Sequence, residues 1–155
     1  MATKPNWIEE EFQRRTQGGL GTLDETAREL HFQKMAQTSW ERLMNEVRTD
    51  VEEFKRTGGE AEFSQTSALV FRVARPPLTL VVAADLANHN IHYEYQSDDA
   101  RAAAPEGGIF SLRRSRYGRA DIYSADERLT DEEARRMLLE PVLFPEDSVI
   151  GPFSH

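Results

Sequence analysis

The sequence contains no cysteine. This absence excludes disulfide bonds, a thiol nucleophile and a thiolate metal site, and it fits a reducing compartment. The chain also has no apolar run approaching the roughly 20 residues that span a bilayer. Its first residues lack the apolar segment of a signal peptide. We therefore expect a cytoplasmic protein without a membrane segment.

Positive charge is also scarce. The 155 residues include 19 Lys and Arg against 27 Asp and Glu, which gives a net charge of −8 at pH 7. General affinity for nucleic acid needs clustered positive side chains that neutralise phosphates, so the composition argues against it. The length is typical of one domain that buries an ordinary core.

The strongest pattern is a helical one over residues 24–57. Its apolar positions recur at steps of three and four: Ala36, Trp40, Leu43, Val47, Val51 and Phe54. Asp24 can accept from the free N–H groups at the start, and Gly58 can adopt the left-handed conformation that ends a helix. Such a helix would be about 50 Å long. It would exceed the diameter of roughly 40 Å of a compact chain of this size.

The first turns of this helix carry a second apolar stripe. Leu23, Ala27 and Leu30 fall opposite the main stripe when projected at about 100° per residue. Either the helix breaks near residues 31–35 and both halves cover one sheet, or it is unbroken and its first half contacts a partner subunit. We favour the partner.

Residues 1–22 are predicted to form an N-terminal arm followed by a glycine-rich linker. Trp7 and Phe12 lie on one side of a short amphipathic helix in this arm. The predicted subunit interface therefore consists of Trp7, Phe12, Leu23, Ala27 and Leu30.

After Gly58 the apolar period changes to two, which predicts strands. The predicted strands are Ala61 to Phe63, Ala68 to Ala74, Leu78 to Ala84, Ile91 to Gln96, Ile109 to Arg114, and Arg119 to Ser124. Pro76 and Pro77 predict a turn. Thr130 and Glu133 form a capping box that starts a short helix, which we expect Pro141 to end.

This order of elements predicts an α+β fold over residues 23–155, which form a single domain. A long amphipathic N-terminal helix packs on an antiparallel sheet of about five to six strands, and a short C-terminal helix follows. The sheet residues expected to contact the long helix are Leu69, Phe71, Leu80, Val82, Tyr93 and Tyr95.

The other face of this sheet is a candidate ligand-binding surface. Arg72, Thr79, His92 and Glu94 are predicted to share it. A face of this mixed composition suits solvent, a dimer contact or the wall of a pocket, because antiparallel sheets commonly leave one face wet.

A weak metal-site candidate consists of Asp85, His89 and His92. Histidine and carboxylate side chains together bind divalent metals or move protons near neutral pH. The convergence of these residues depends on an unknown turn, and no HExxH helix supplies paired imidazoles. We expect polar loop and strand residues here, without a metal or cofactor.

Four arginines cluster near Tyr117: Arg113, Arg114, Arg116 and Arg119. Guanidinium groups beside an aromatic ring can hold phosphate, carboxylate or a stacked base. The alternative is that they pair with acidic side chains of this acidic chain or lie in solvent.

These observations favour a non-catalytic protein-interaction or assembly module that forms a homodimer or binds a protein partner. The alternative is a small-ligand-binding protein or enzyme with a pocket between helix and sheet near His92, Glu94 and Arg72. Nucleic-acid binding by the arginine hairpin is the third hypothesis.

Overall fold

The computed structural model describes residues 7–101 and 103–145, with side chains described from residue 24 onward. The elements are α1 (Trp7–Arg56), β1 (Glu62–Ser67), β2 (Val70–Arg75), β3 (Leu78–Asp85), β4 (Asn90–Ser97), β5 (Gly108–Arg114), β6 (Ala120–Ser124), β7 (Glu127–Leu129) and α2 (Asp131–Leu143). The predicted α+β class is confirmed, with seven strands. No helix in the described part of the chain is long and apolar enough to cross a membrane.

The seven strands form one antiparallel sheet in which each strand pairs with the next along the chain. Side chains of β3 alternate between buried and half-buried, because successive residues point to opposite faces. Leu80 and Val82 belong to the fully buried set, which α1 and α2 cover. We call this covered side the inner face and the opposite side the outer face.

The apolar stripe of α1 packs on the inner face as predicted. Ala36, Trp40, Val47 and Val51 are almost completely buried. The indole of Trp40 stacks on Phe71 at a centroid distance of 5.4 Å, and its Nε1 donates to the Ala68 carbonyl at 2.9 Å. Burying large side chains of this kind stabilises the fold by roughly 1.5–3 kcal/mol each. The stripe therefore fixes α1 on the sheet.

The end of α1 also agrees with its sequence. Gly58 has a φ of +105°, and the N–H of Gly59 donates to the carbonyl of Phe54 at 2.9 Å. At its N-terminal end α1 begins at Trp7 and not at Asp24. The Asp24 carboxylate pairs with Arg28, one turn later, at 3.7 Å.

The helix is continuous across residues 31–35, so the break near these residues is absent, and contact of the first half with a partner subunit stays a prediction. The bounds of α1 include the glycines of the predicted linker, Gly18, Gly19 and Gly21. The side chains of the predicted arm lie outside the described residues, and the division of the chain after residue 22 stays a prediction.

The prediction that Leu69 packs under α1 is wrong. Ser67 pairs directly with Val70, so Ala68 and Leu69 form the tight turn between β1 and β2. In this turn the Leu69 side chain is 37% exposed, while its carbonyl accepts from the N–H of Ala84. The turn therefore uses the main chain of Leu69 and leaves its side chain at the surface.

The prediction that Pro141 ends the last helix is also wrong, because α2 continues to Leu143. Pro141 has no N–H to donate to the Met137 carbonyl four residues earlier. The Tyr95 hydroxyl lies 3.1 Å from that carbonyl oxygen and 2.8 Å from the carbonyl oxygen of Leu138. The Tyr95 hydroxyl therefore offers a donor to the carbonyl that Pro141 cannot bond.

Candidate functional site

The larger of two described clefts lies between the last turns of α1 and the length of α2, and we call it the α1–α2 groove. Its volume is about 660 Å³, within the range of roughly 300–1,000 Å³ that is typical of ligand pockets. The apolar part is made by Phe54, Leu139, Leu143 and Phe144. The rings of Phe54 and Phe144 meet edge to face at 5.4 Å. The groove thus offers an aromatic and aliphatic floor.

Charged side chains form the walls of the groove. Arg135 joins the two helices, because its Nε donates to Asp50 at 2.7 Å and its Nη1 to Glu46. Arg136 Nε donates to Glu140 at 2.8 Å along the same helix. The carboxylates that line the groove are Asp50, Glu53, Glu132 and Glu140. Negative charge therefore exceeds positive charge around the apolar floor.

The smaller cleft, about 440 Å³, surrounds His89 in the β3–β4 turn. His89 has a φ of +57°, and its Nε2 lies 2.7 Å from both carboxylate oxygens of Glu29 on α1. Its ring meets Phe32 edge to face at 4.5 Å. Hydrogen bonds from His89 and then from Gln33 lower the pKa of the Glu29 carboxyl. His89 therefore connects the β3–β4 turn to α1.

The other members of the predicted metal candidate lie apart from His89. The carboxylate of Asp85 accepts from the backbone and side-chain nitrogens of Asn88, at 3.3 and 2.7 Å. His92 lies on the outer face, between Ala83 and Ile109 in the strand register. In the part of the chain that the structure describes, no three His, Asp or Glu side chains are placed to hold a metal ion.

The four predicted ligand-binding residues share the outer face of β2, β3 and β4. Arg72 and Glu94 both pair with Val81 in the register, and Thr79 lies two residues before Val81 on β3. Gln96 links the two charges, since it accepts from Arg72 at 3.4 Å and donates to Glu94 at 3.0 Å. These side chains therefore lie on the outer face and do not line a space between α1 and the sheet. Ligand binding by them stays a prediction.

The arginine cluster divides between two sides of the β5–β6 hairpin. Arg113 lies over the Tyr123 ring at 4.4 Å and donates to the Ala125 carbonyl and to Asp126, at 3.0 and 3.2 Å. Arg114 donates to the Arg28 carbonyl on α1 at 3.3 Å. Consecutive strand residues point to opposite faces, which accounts for this division. Arg116 and Arg119 are exposed in the hairpin loop.

The predicted subunit interface is described only in part. The side chains of Trp7, Phe12 and Leu23 lie outside the described residues. Ala27 and Leu30 are exposed, and the Leu30 side chain is 56% exposed.

Sequence reasoning did not find the α1–α2 groove. Its two walls come from segments about eighty residues apart, so no local pattern shows that they meet. The available signal was the apolar trio Leu139, Leu143 and Phe144 at the C-terminal end of α2, together with Phe54 near the end of α1.

Comparisons with protein-family models, curated proteins and solved structures gave no match to this chain.

Proposed function

We propose that this chain is a non-catalytic protein-interaction module that assembles as a homodimer through the first half of α1. The observation that carries the proposal is the exposure of Leu30, 56%, on a side of α1 that the sheet does not cover. Ala27, one turn earlier, is exposed as well. The proposal includes the cytoplasmic location expected from the sequence.

The apolar spacing continues from Ala27 and Leu30 toward the N-terminus of the sequence. Leu20, Leu23, Ala27 and Leu30 follow steps of three, four and three, which is the spacing of the apolar seam in paired helices. All four positions are within the bounds of α1. Phe32 is the first buried side chain in the described part of the helix. This half of α1 therefore has an apolar seam, and its described residues 24–31 are exposed except for Glu29, which contacts His89.

A second copy of the chain is the partner that suits this seam. Two such helices in a symmetric pair would bury Leu30 from each copy, and each large apolar side chain contributes roughly 1.5–3 kcal/mol when fully buried. Salt bridges along the helix, such as Asp24 with Arg28, would remain in solvent beside the seam.

Light scattering coupled to size exclusion tests the proposal. The wild-type chain should elute with twice the mass of one chain. The Leu30→Glu variant should elute with the mass of one chain. It should keep the circular dichroism spectrum of the wild type, because Leu30 is not part of the core. Ile109→Glu is the matched control, since Ile109 is 53% exposed on the outer face; this variant should remain dimeric.

A monodisperse wild-type monomer would contradict the homodimer. Dissociation by Ile109→Glu with an intact Leu30→Glu dimer would place the interface on the outer face and contradict the role of α1.

A further inference from the structure

We propose that the α1–α2 groove binds a basic, amphipathic segment of a partner protein, with an aromatic or branched aliphatic anchor on the groove floor. The proposal rests on the protein-interaction function but not on homodimer formation. It concerns the end of α1 opposite to the Leu30 seam.

The floor of the groove supplies the anchor site. Phe144 is 46% exposed although it follows the buried Leu143, and its ring stands at right angles to that of Phe54. The Phe54 ring packs closely against Gly59, since a Cβ on Gly59 would come within 2.3 Å of the ring. A pair of aromatic edges above Leu139 and Leu143 is the kind of surface on which an amphipathic helix places its apolar side.

The net negative charge of the groove walls favours binding of a basic segment. Glu53 is paired with Arg56, and Arg135 is paired with both Glu46 and Asp50. When these partners and Arg75, whose guanidinium lies 5.7 Å from the centre of the Phe54 ring, are counted with the lining, five carboxylates face four guanidinium groups, so one negative charge remains. The groove lies on a chain of net charge −8, which adds long-range attraction for a cationic partner.

The residues of this chain that follow the groove do not share that charge. Residues 146–155 come directly after Pro145 and include apolar Val149, Ile150 and Phe153, but they begin with Glu146 and Asp147. Two carboxylates entering an acidic groove would be repelled. A basic segment of another protein is therefore the better match.

Fluorescence anisotropy with two synthetic peptides tests the proposal. One is an amphipathic leucine–lysine helix, and the other has the same leucines with every lysine replaced by glutamate. The full chain should bind the lysine peptide and not the glutamate peptide. Glu53→Lys combined with Glu132→Lys should weaken binding of the lysine peptide about tenfold or more. The charge-matched control, Glu94→Lys with Glu127→Lys, should weaken it much less, because those carboxylates lie on the sheet.

The apolar anchor has its own pair of variants. Phe144→Ser should weaken binding of the lysine peptide at least about fivefold, because Phe144 forms part of the floor. Met137→Ser is the matched control, since Met137 is an exposed apolar residue of α2 outside the lining; its affinity should stay within about twofold of wild type.

Several results would overturn the proposal. They are equal binding of both peptides, an equal effect of the two double charge variants, an equal effect of Phe144→Ser and Met137→Ser, or no binding of the lysine peptide. If binding occurs only after Ile150→Ser and Phe153→Ser, the groove is occupied by the C-terminal residues of the chain and not by a partner. Because light scattering does not enter this test, its outcome is distinct from that of the homodimer test.

Discussion

The Tyr95 hydroxyl lies 3.1 Å from the carbonyl oxygen of Met137, which is the oxygen that the residue at 141 would bond if it had a backbone N–H. Tyr95 also reaches the carbonyl of Leu138 at 2.8 Å. Burial raises the pKa of the Tyr95 hydroxyl, so the group stays protonated and able to donate. A side chain of β4 thus completes the hydrogen bonding of α2 at its proline.

Removing this hydroxyl should destabilise the protein. We expect Tyr95→Phe to lower the free energy of unfolding by about 1–3 kcal/mol, because it leaves a buried carbonyl without a donor. Urea denaturation at fixed protein concentration measures the change. Tyr117→Phe is the control, because Tyr117 is exposed in the hairpin loop and should change stability little.

Pro141→Ala tests the compensation directly. Alanine restores the N–H toward Met137, so the cost of Tyr95→Phe should be smaller in the Pro141→Ala background than in wild type. Equal costs in both backgrounds would show that the hydroxyl does not substitute for the missing N–H.

Arg135 should contribute more to the free energy of unfolding than its neighbour Arg136. Arg135 is 20% exposed and bonds two carboxylates of α1, whereas Arg136 is 68% exposed and bonds Glu140 on its own helix. We expect Arg135→Ala to cost about 1–3 kcal/mol, because Glu46 and Asp50 lose their shared partner. Arg136→Ala should cost less than about 1 kcal/mol. Thermal and urea unfolding of both variants make the comparison, and equal losses would contradict the bridging role of Arg135.

The link between Glu29 and His89 should appear in the pH dependence of stability. The folded-state pKa of Glu29 lies below its ordinary value of 4.5. The stability that this carboxylate contributes should therefore be present above pH 4.5 and be lost as the pH falls through the lowered pKa. Urea unfolding across this range should show the difference between wild type and Glu29→Gln shrinking at acid pH.

Glu25→Gln, one turn earlier on α1, controls for the loss of one negative charge from the helix. A difference between wild type and Glu29→Gln that stays constant down to strongly acid pH would contradict the interaction with His89.

The capping box of α2 gives a further prediction. The Thr130 hydroxyl accepts from the Glu133 N–H at 3.1 Å, and Glu133 accepts from the Thr130 N–H at 2.9 Å. Thr130→Ala should cost about 1 kcal/mol, while Thr130→Asp should retain most of the stability, since aspartate also caps helices well. Thermal denaturation of both variants measures the effect; an unchanged Thr130→Ala would show that α2 does not need its cap.

The parts of the fold that the sequence predicted are those that local spacing determines. The helical stripe from Ala36 to Val51 follows a period set by the helix itself, and the alternation in Leu78 to Ala84 follows the period of a strand. The capping box needs only Thr130 and Glu133, three residues apart. Each of these elements can be recognised without knowledge of what it packs against.

The features that the sequence did not predict depend on residues far apart in the chain. Where α2 passes Pro141, Tyr95 of β4 contacts its carbonyl oxygens, and His89 contacts Glu29, 60 residues away. β7 has only three residues, Glu127–Leu129, which is too short for an alternating pattern to be recognised. The α1–α2 groove similarly exists only when both helices have docked.

The buried hydroxyl of Ser39 donates to the carbonyl of Ala120, 81 residues later, at 2.7 Å. During synthesis at about 5–20 residues per second, Ser39 is therefore made roughly 4–16 seconds before its partner in β6. The hairpins of the sheet can close one by one in that interval, because each strand pairs with the one made just before it. Part of α1, the first element translated, is thus completed only when β6 has been made, whereas the contacts of Trp40 with Ala68 and Phe71 become available earlier.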